Sequence, residues 1–417
     1  MRVLLTDGDQ RSSLAVTRSL GRAGVEVIVA ATGSTSLAGS SRYCTRRVVT
    51  PSPRDDERGF VQAIAREVRS HGVDFVIPIA DLATAVLAEN RDLLAEHARI
   101  SVPEPDRFWA AADKNQLHRL AARIGVPSPT LHFIEDPDQA LRLQDDVPFP
   151  CVVKPARSFV RHQGGWARTS VRRVASKREY VTFFEDPTAL RAPCMIQSEI
   201  QGDGCGLFAL CREGEPLVMF AHRRIREKPP WGGVSVLRES APVDPAMGDA
   251  ATRLLREIGW HGVAMVEFKK EASTGTAYLM EVNARFWGSL QLAIDAGVDF
   301  PFLLVGLYQG ASLAIPASYR VGVRSRWLLG DVDHLLARIR HRPERALVPW
   351  PRFLADFFWP FHRNTRLEIE SWSDPKPAWH EITKYLRDLL GPAGKRAARP
   401  SEATPPASRG LNELTRP

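Results

Sequence analysis

The first hundred residues alternate between short apolar runs and segments with helical spacing. The runs at Arg2–Thr6, Val25–Ala31 and Asp74–Ala80 carry the nearly continuous hydrophobic pattern of buried strands, and a helical period lies between them, as at Ser13–Ala23. Strands that are apolar on both faces and alternate with helices are typical of a parallel sheet covered on both sides. The pattern therefore predicts an α/β unit, and the prolines of Pro103–Pro105 indicate its end.

The pattern changes after residue 105. A helical period at Phe108–Ile124 is followed by closely spaced strand-like runs, at Phe149–Pro155, Thr169–Val174, Cys194–Ile200, Gly206–Cys211, Pro216–His222, Ala264–Lys269 and Ala277–Asn283. Short loops separate several of these runs, as an antiparallel sheet requires, and one helical segment, Asp244–Ile258, interrupts them. These residues predict an α+β unit that differs in kind from the first.

Beyond residue 310 the pattern is weaker. Leu347–Phe361 is rich in aromatic residues and predicts a helix packed on the preceding unit, with a membrane-surface contact as the alternative. From Gly391 the chain is rich in Pro, Ala and Arg, a composition typical of disorder. We therefore expect units at residues 1–104, 105–310 and 311–390, and a disordered basic tail at 391–417.

Composition narrows the class of protein. The 417 residues are 44% hydrophobic and 25% charged, as in ordinary globular proteins. No apolar run approaches the ~20 residues that span a bilayer, so we expect no transmembrane segment. The five cysteines form no CxxC pair, which argues against a disulfide framework or structural zinc and favours the cytoplasm. The net charge of +8 suits nucleic acid, an anionic surface or a phosphate-binding pocket equally well.

Several common motifs are missing from the sequence. Asp7-Gly8-Asp9-Gln10 stands where a dinucleotide-binding G-x-G-x-x-G would follow the first strand. Neither HExxH nor G-x-S-x-G occurs, so metalloprotease and ordinary hydrolase functions find no support.

The most informative local pattern is Met280–Arg285. If it ends a strand, alternation places Glu281, Asn283 and Arg285 on one face. A second carboxylate, Glu267, lies on the preceding apolar run, and a hairpin would bring it close to Glu281. Two inward carboxylates repel each other, and a cation that prefers oxygen ligands, such as Mg²⁺, removes the repulsion. An exposed strand face with ordinary polar residues is the alternative.

Two lysines supply candidate phosphate contacts. Lys114 lies early in a predicted helix, and Lys154 ends an apolar strand, where a buried ammonium needs an anion. Lysines that snorkel to the surface are the alternative. Gly164 and Gly165, in the loop Ala156–Arg168, would let backbone N–H groups close over phosphates.

Two further segments carry weaker signals. A strand–turn junction suited to an adenine edge comprises Gln197, Ser198, Glu199 and Ile200, although any β-turn uses similar glycines after it. A basic run before a Pro/Gly loop predicts a phosphate or acidic-substrate loop, with a solvated basic loop as an equal alternative, and comprises His222, Arg223 and Arg224.

Taken together and in this order, the motifs resemble the ATP-grasp superfamily over about residues 1–310. The segments His222–Ser240 and Asn283–Ser289 are similar to its branch of predicted ATP-dependent carboligases, also described as carbamoyl-phosphate-synthase-like. The resemblance implies a Rossmann-like preATP-grasp domain, followed by two α+β subdomains that grip ATP between them. Ser198 departs from the carboxylate that many members carry at its position.

The resemblance also implies roles for the candidate residues. Lys114 and Lys154 would contact the phosphates of ATP, and the backbone at Gln197–Ile200 would hold the adenine. The ligands of Mg²⁺ or Mn²⁺ would be Glu267, Glu281 and Asn283, and Arg285 would stabilise the transferring phosphoryl group with Lys154.

The implied activity is that of an ADP-forming ligase that joins a carboxylate to an amine or related nucleophile through an acyl phosphate. A kinase or other phosphoryl transferase on the same scaffold, and a non-catalytic nucleotide-binding protein, are the alternatives. The expected partners are small-molecule carboxylate and nucleophile substrates, and a homodimer is left open. Nucleic acid is not expected, because the basic residues cluster at the predicted phosphate loops and in the tail.

Overall fold

The computed structural model describes residues 1–162, 165–186, 192–230, 232–340, 348–358 and 364–390. The tail at 391–417, Gly164, and the ends of the aromatic segment at 347 and 359–361 lie outside the described residues.

The first unit is a parallel sheet of five strands in the order β3-β2-β1-β4-β5. Its elements are β1 (Arg2–Leu5), α1 (Arg11–Arg22), β2 (Glu26–Ala31), β3 (Cys44–Val49), α2 (Glu57–His71), β4 (Phe75–Ile77), α3 (Asp81–Glu89), α4 (Asp92–Ala95) and β5 (Arg99–Ile100). Val3 and Leu4 enter different hydrophobic cores, so both faces of the sheet are buried, as the apolar runs predicted. The pattern missed the edge strand β3 because Arg46 and Arg47 are exposed there.

The second unit contains a four-stranded antiparallel sheet in the order β10-β7-β11-β6 and a separate hairpin of β8 and β9. Its elements are α5 (Pro105–Ala112), α6 (Lys114–Arg123), β6 (Leu131–Ile134), α7 (Pro137–Arg142), β7 (Cys151–Pro155), β8 (Phe159–His162), β9 (Gly165–Arg168), β10 (Arg172–Val174), α8 (Lys177–Glu185) and β11 (Cys194–Ser198).

The single helix predicted at Phe108–Ile124 is wrong, because the structure has two helices that meet at Asp113. The Asp113 side chain accepts hydrogen bonds from the backbone N–H groups of Asn115 and Gln116 and so caps α6. The N–H of Lys114 donates to the carbonyl of Ala156 at 2.8 Å instead of continuing α5.

A seven-stranded sheet forms the centre of the molecule, in the order β16-β15-β12-β13-β14-β17-β18. Its strands and the helices on it are β12 (Gly202–Arg212), β13 (Glu215–Lys228), β14 (Val234–Ala241), α9 (Pro245–Ile258), β15 (Gly262–Glu271), β16 (Ala277–Asn283), α10 (Leu290–Ala296), α11 (Phe300–Gln309), β17 (Arg324–Arg326), α12 (Leu328–Arg340), α13 (Trp350–Phe358), β18 (Thr365–Leu367) and α14 (Lys376–Leu390). The sheet continues past residue 310, since β17 and β18 form one of its edges.

The described part of the aromatic segment is the helix α13, which buries Phe353 and Phe357. The guanidinium of Arg326 lies 4.6 Å from the ring centroid of Phe357, so this helix packs on the edge of the central sheet. In the described residues no single helix has the length and apolar character needed to cross a membrane; α10 and α11 meet those criteria only as a pair bent by 89°.

Candidate functional site

The two carboxylates singled out in the sequence face each other across β15 and β16, where Glu267 pairs with Glu281 in the strand register. The hairpin prediction is therefore confirmed. The amide nitrogen of Asn283 lies 3.5 Å from Glu267 Oε1 and 3.4 Å from Glu281 Oε1. All three side chains thus point toward one position at the end of the central sheet.

Cations from other elements balance these carboxylates. Lys114 Nζ lies 3.4 Å from Glu281 Oε2, and Arg224 Nη2 donates to Glu267 Oε2 at 2.9 Å. Burial raises the pKa of Glu267, against the lowering effect of Arg224. Burial alone would also raise the pKa of Glu281, but Lys114 and Lys154 outweigh it and hold that pKa below its usual range. The pair therefore stays charged only because cations surround it.

Lys154 reaches the same place from the four-stranded sheet. It lies near the end of β7, and its Nζ is 3.8 Å from the sulfur of Met280, the residue before Glu281. Burial lowers the pKa of Lys154 to about 8, and the nearby charge of Lys114 lowers it further. An anion beside Lys154 would reverse the effect, so the position suits a phosphate.

Arg285 follows the end of β16 and is held by two partners. Its Nη2 donates to Asn283 Oδ1 at 3.1 Å and to Asp81 Oδ2 at 2.9 Å, and its Nε pairs with the other oxygen of Asp81. Asp81 is the first residue of α3, at the carboxyl end of β4 in the first unit. The sequence analysis missed Asp81. An acidic residue after a parallel strand was the available signal, but nothing in the pattern linked it to Arg285.

The strand predicted to hold adenine is β11. The side chain of Gln197 is buried, with its Nε2 3.6 Å from the sulfur of Met280. The N–H of Ser198 donates to the carbonyl of Thr130, and the N–H of Glu199 donates to the carbonyl of Pro150. Ile200 is buried directly after them. This segment therefore faces the site, although its first two backbone donors already serve the fold.

The prediction that His222, Arg223 and Arg224 form a loop is wrong, because β13 continues through them to Lys228. Neighbouring strands supply partners for the charges. Arg223 points to the opposite face from Arg224 and pairs with Glu239 of β14 at 2.7 Å. Of the three residues, only Arg224 contacts a site carboxylate.

His222 occupies the sheet interior. Its ring lies edge-on to Phe208 at 4.8 Å, and a Cβ on Gly206 would come within 2.9 Å of its Nε2, so a glycine is needed opposite it. Burial lowers the pKa of His222 well below its usual range, and Arg224 and Arg238 add to the effect. His222 is therefore a neutral residue at working pH.

The segment Ala156–Arg168 forms the β8–β9 hairpin and docks on the first unit. Arg161 pairs with Glu57 and Glu89, each at 2.6 Å, and the indole N–H of Trp166 donates to Glu57 at 2.8 Å. The hairpin therefore covers the side of the site that faces α2 and α3.

Comparisons with known proteins agree with this fold. A family model described as "ATP-grasp in the biosynthetic pathway with Ter operon" matches residues 191–329. One of the two kinds of pyruvate carboxylase chain from Methanothermobacter thermautotrophicus is 25% identical over 244 residues, which are 51% of this chain and 47% of that relative. The chain thus spans about half the length of this curated relative.

Two solved structures share most of the architecture. The L-amino acid ligase of Bacillus licheniformis superposes with a TM-score of 0.57 at 18% identity and covers 73% of each chain. The biotin carboxylase–β-γ-ATP complex of Campylobacter jejuni superposes with a TM-score of 0.61 at 15% identity and covers 77% of this chain and 74% of that one. The fold is thus the mixed α/β architecture of ATP-grasp proteins. This chain belongs to the ATP-grasp superfamily, as the motif order in its sequence predicted.

Proposed function

We propose that the protein is an ATP-dependent ligase that joins a carboxylate to an amine or a related nucleophile. The observation that carries the proposal is the convergence of six side chains from separate parts of the chain on one end of the central sheet: Lys114, Lys154, Glu267, Glu281, Asn283 and Arg285. Similarity to an L-amino acid ligase and to a biotin carboxylase supports this class of reaction.

Glu267, Glu281 and Asn283 would hold Mg²⁺, or Mn²⁺ in its place. Carboxylate and amide oxygens are the hard ligands that these ions prefer, and both carboxylates approach the same amide within 3.5 Å. Within the described ranges no group of three or more His, Cys, Asp and Glu could hold a metal, so the protein would leave coordination positions open to phosphate oxygens and water. When bound, the ion would neutralise charge on the triphosphate.

The remaining residues position and neutralise the reactants. Lys114 and Lys154 bind the phosphates of ATP, while the backbone near Ile200 contacts the adenine. A carboxylate oxygen of the acid attacks the γ-phosphorus, and the bond to ADP breaks, which gives an acyl phosphate. The nucleophile then bonds to the acyl carbon as the carbon–oxygen bond to phosphate breaks. Arg285, fixed by Asp81, stabilises the charge on the transferring phosphoryl group.

Product analysis with a trapping reagent tests the proposal. The protein is incubated with Mg²⁺, ATP, pools of carboxylic acids and hydroxylamine, which converts an acyl phosphate to a hydroxamate. We expect ADP and hydroxamate in equal amounts. Glu281→Gln should slow both by about 100-fold or more, because it removes a charge that acts on the reacting phosphates.

Glu271→Gln is the matched control, because Glu271 lies on the same strand β15 but contacts Thr274 in the turn. It should react as the wild type does. AMP and pyrophosphate as products would contradict the proposal, and a stable phosphorylated product without hydroxamate would instead identify a phosphoryl transferase.

A further inference from the structure

A cavity adjoins Arg285 between the first unit, α5, the β8–β9 hairpin and β16. Glu281, Asn283 and Arg285 line one end of it, and the aromatic rings of Trp109 and Phe159 line another part. Its volume of about 40 Å³ has room for a group the size of a carboxylate. The cavity therefore extends the proposed reaction site toward an aromatic wall.

The charged side chains on the cavity wall are already compensated. Each belongs to an ion pair, and these pairs are Arg285 with Asp81, Lys114 with Glu281, and Arg157 with Asp113. A bound metal would replace Lys114 at Glu281 and leave that lysine to the phosphates. The walls thus present no spare charge to a second ionic group on the acid.

The aromatic wall is held in a fixed orientation. The guanidinium of Arg157 lies 4.0 Å from the ring centroid of Trp109, whose indole N–H donates to Glu89 at 3.2 Å. Trp109 and Phe159 are both half-buried, whereas Phe108 and Trp166 behind them are fully packed in the core. Trp109 and Phe159 are therefore the rings that can separate to admit an apolar group.

We propose that the acid substrate is a monocarboxylic acid with an apolar, flat side group, bound with its carboxylate beside Arg285 and its side group between Trp109 and Phe159. This proposal rests on the ligase function above and adds the chemical class of its acid. Pockets lined mostly by apolar and aromatic side chains with a few polar groups at one end select ligands of this kind.

Hydroxamate formation from individual acids tests the class. The probes are phenylacetate, acetate and succinate, each with Mg²⁺, ATP and hydroxylamine. We expect kcat/KM for phenylacetate to exceed that for acetate and for succinate by about tenfold or more. A preference for succinate or acetate would overturn this proposal and leave the ligase function intact. Failure of every acid in the wider pools to yield ADP and hydroxamate would overturn the ligase function, and this proposal with it.

Variants of Trp109 separate recognition from folding. Trp109→Ala should raise the KM for phenylacetate about tenfold and change the KM for acetate less than about threefold, while Trp109→Phe should retain most of the affinity. Trp372→Ala is the control, because Trp372 is fully exposed and should have no effect. Equal changes for phenylacetate and acetate in Trp109→Phe, which keeps an aromatic ring and the fold, would overturn the proposal.

Discussion

Lys154 is the residue whose protonation the site controls most directly. Burial lowers its pKa to about 8 in the free protein, so about half of it is neutral at pH 8. A bound phosphate raises this pKa again, so ADP should take up about half a proton on binding at pH 8 and almost none at pH 6.5. Calorimetry in buffers of different ionisation enthalpy measures this uptake. Lys154→Met should abolish it, and an unchanged uptake in that variant would show that another group titrates.

At the scale of elements, the β8–β9 hairpin depends on a few polar contacts with the first unit. Arg161 pairs with Glu57 and Glu89 but is itself 55% exposed, so each pair contributes modestly. Arg161→Ala should therefore speed amide hydrogen exchange in residues 159–162 and 165–168 by a factor of about two to five, with little change in global stability. Arg256→Ala removes an equally exposed pair with Glu215 elsewhere and serves as the control. Hairpin exchange that is the same in both variants would contradict the docking role of Arg161.

At the scale of the whole molecule, the sequence predicted what short chain distances and apolar patterns determine. Glu267 and Glu281 lie on adjacent strands of one hairpin, so alternation was enough to bring them together. The pairing of Asp81 with Arg285 joins residues 204 positions apart, and only the packing of the first unit on the central sheet determines it. The strand at Arg223 was missed for a related reason, since Glu239 on the next strand balances a charge that no apolar pattern reveals.

The measurement that tests the central claim most directly is the metal dependence of nucleotide binding. Calorimetry of ADP binding with Mg²⁺, and again with the ion removed by a chelator, should show affinity at least about tenfold higher with the ion in the wild type. The double variant Glu267→Gln, Glu281→Gln should bind ADP equally under both conditions, because the site would no longer hold the ion. A double variant that keeps the metal dependence of the wild type would contradict the account.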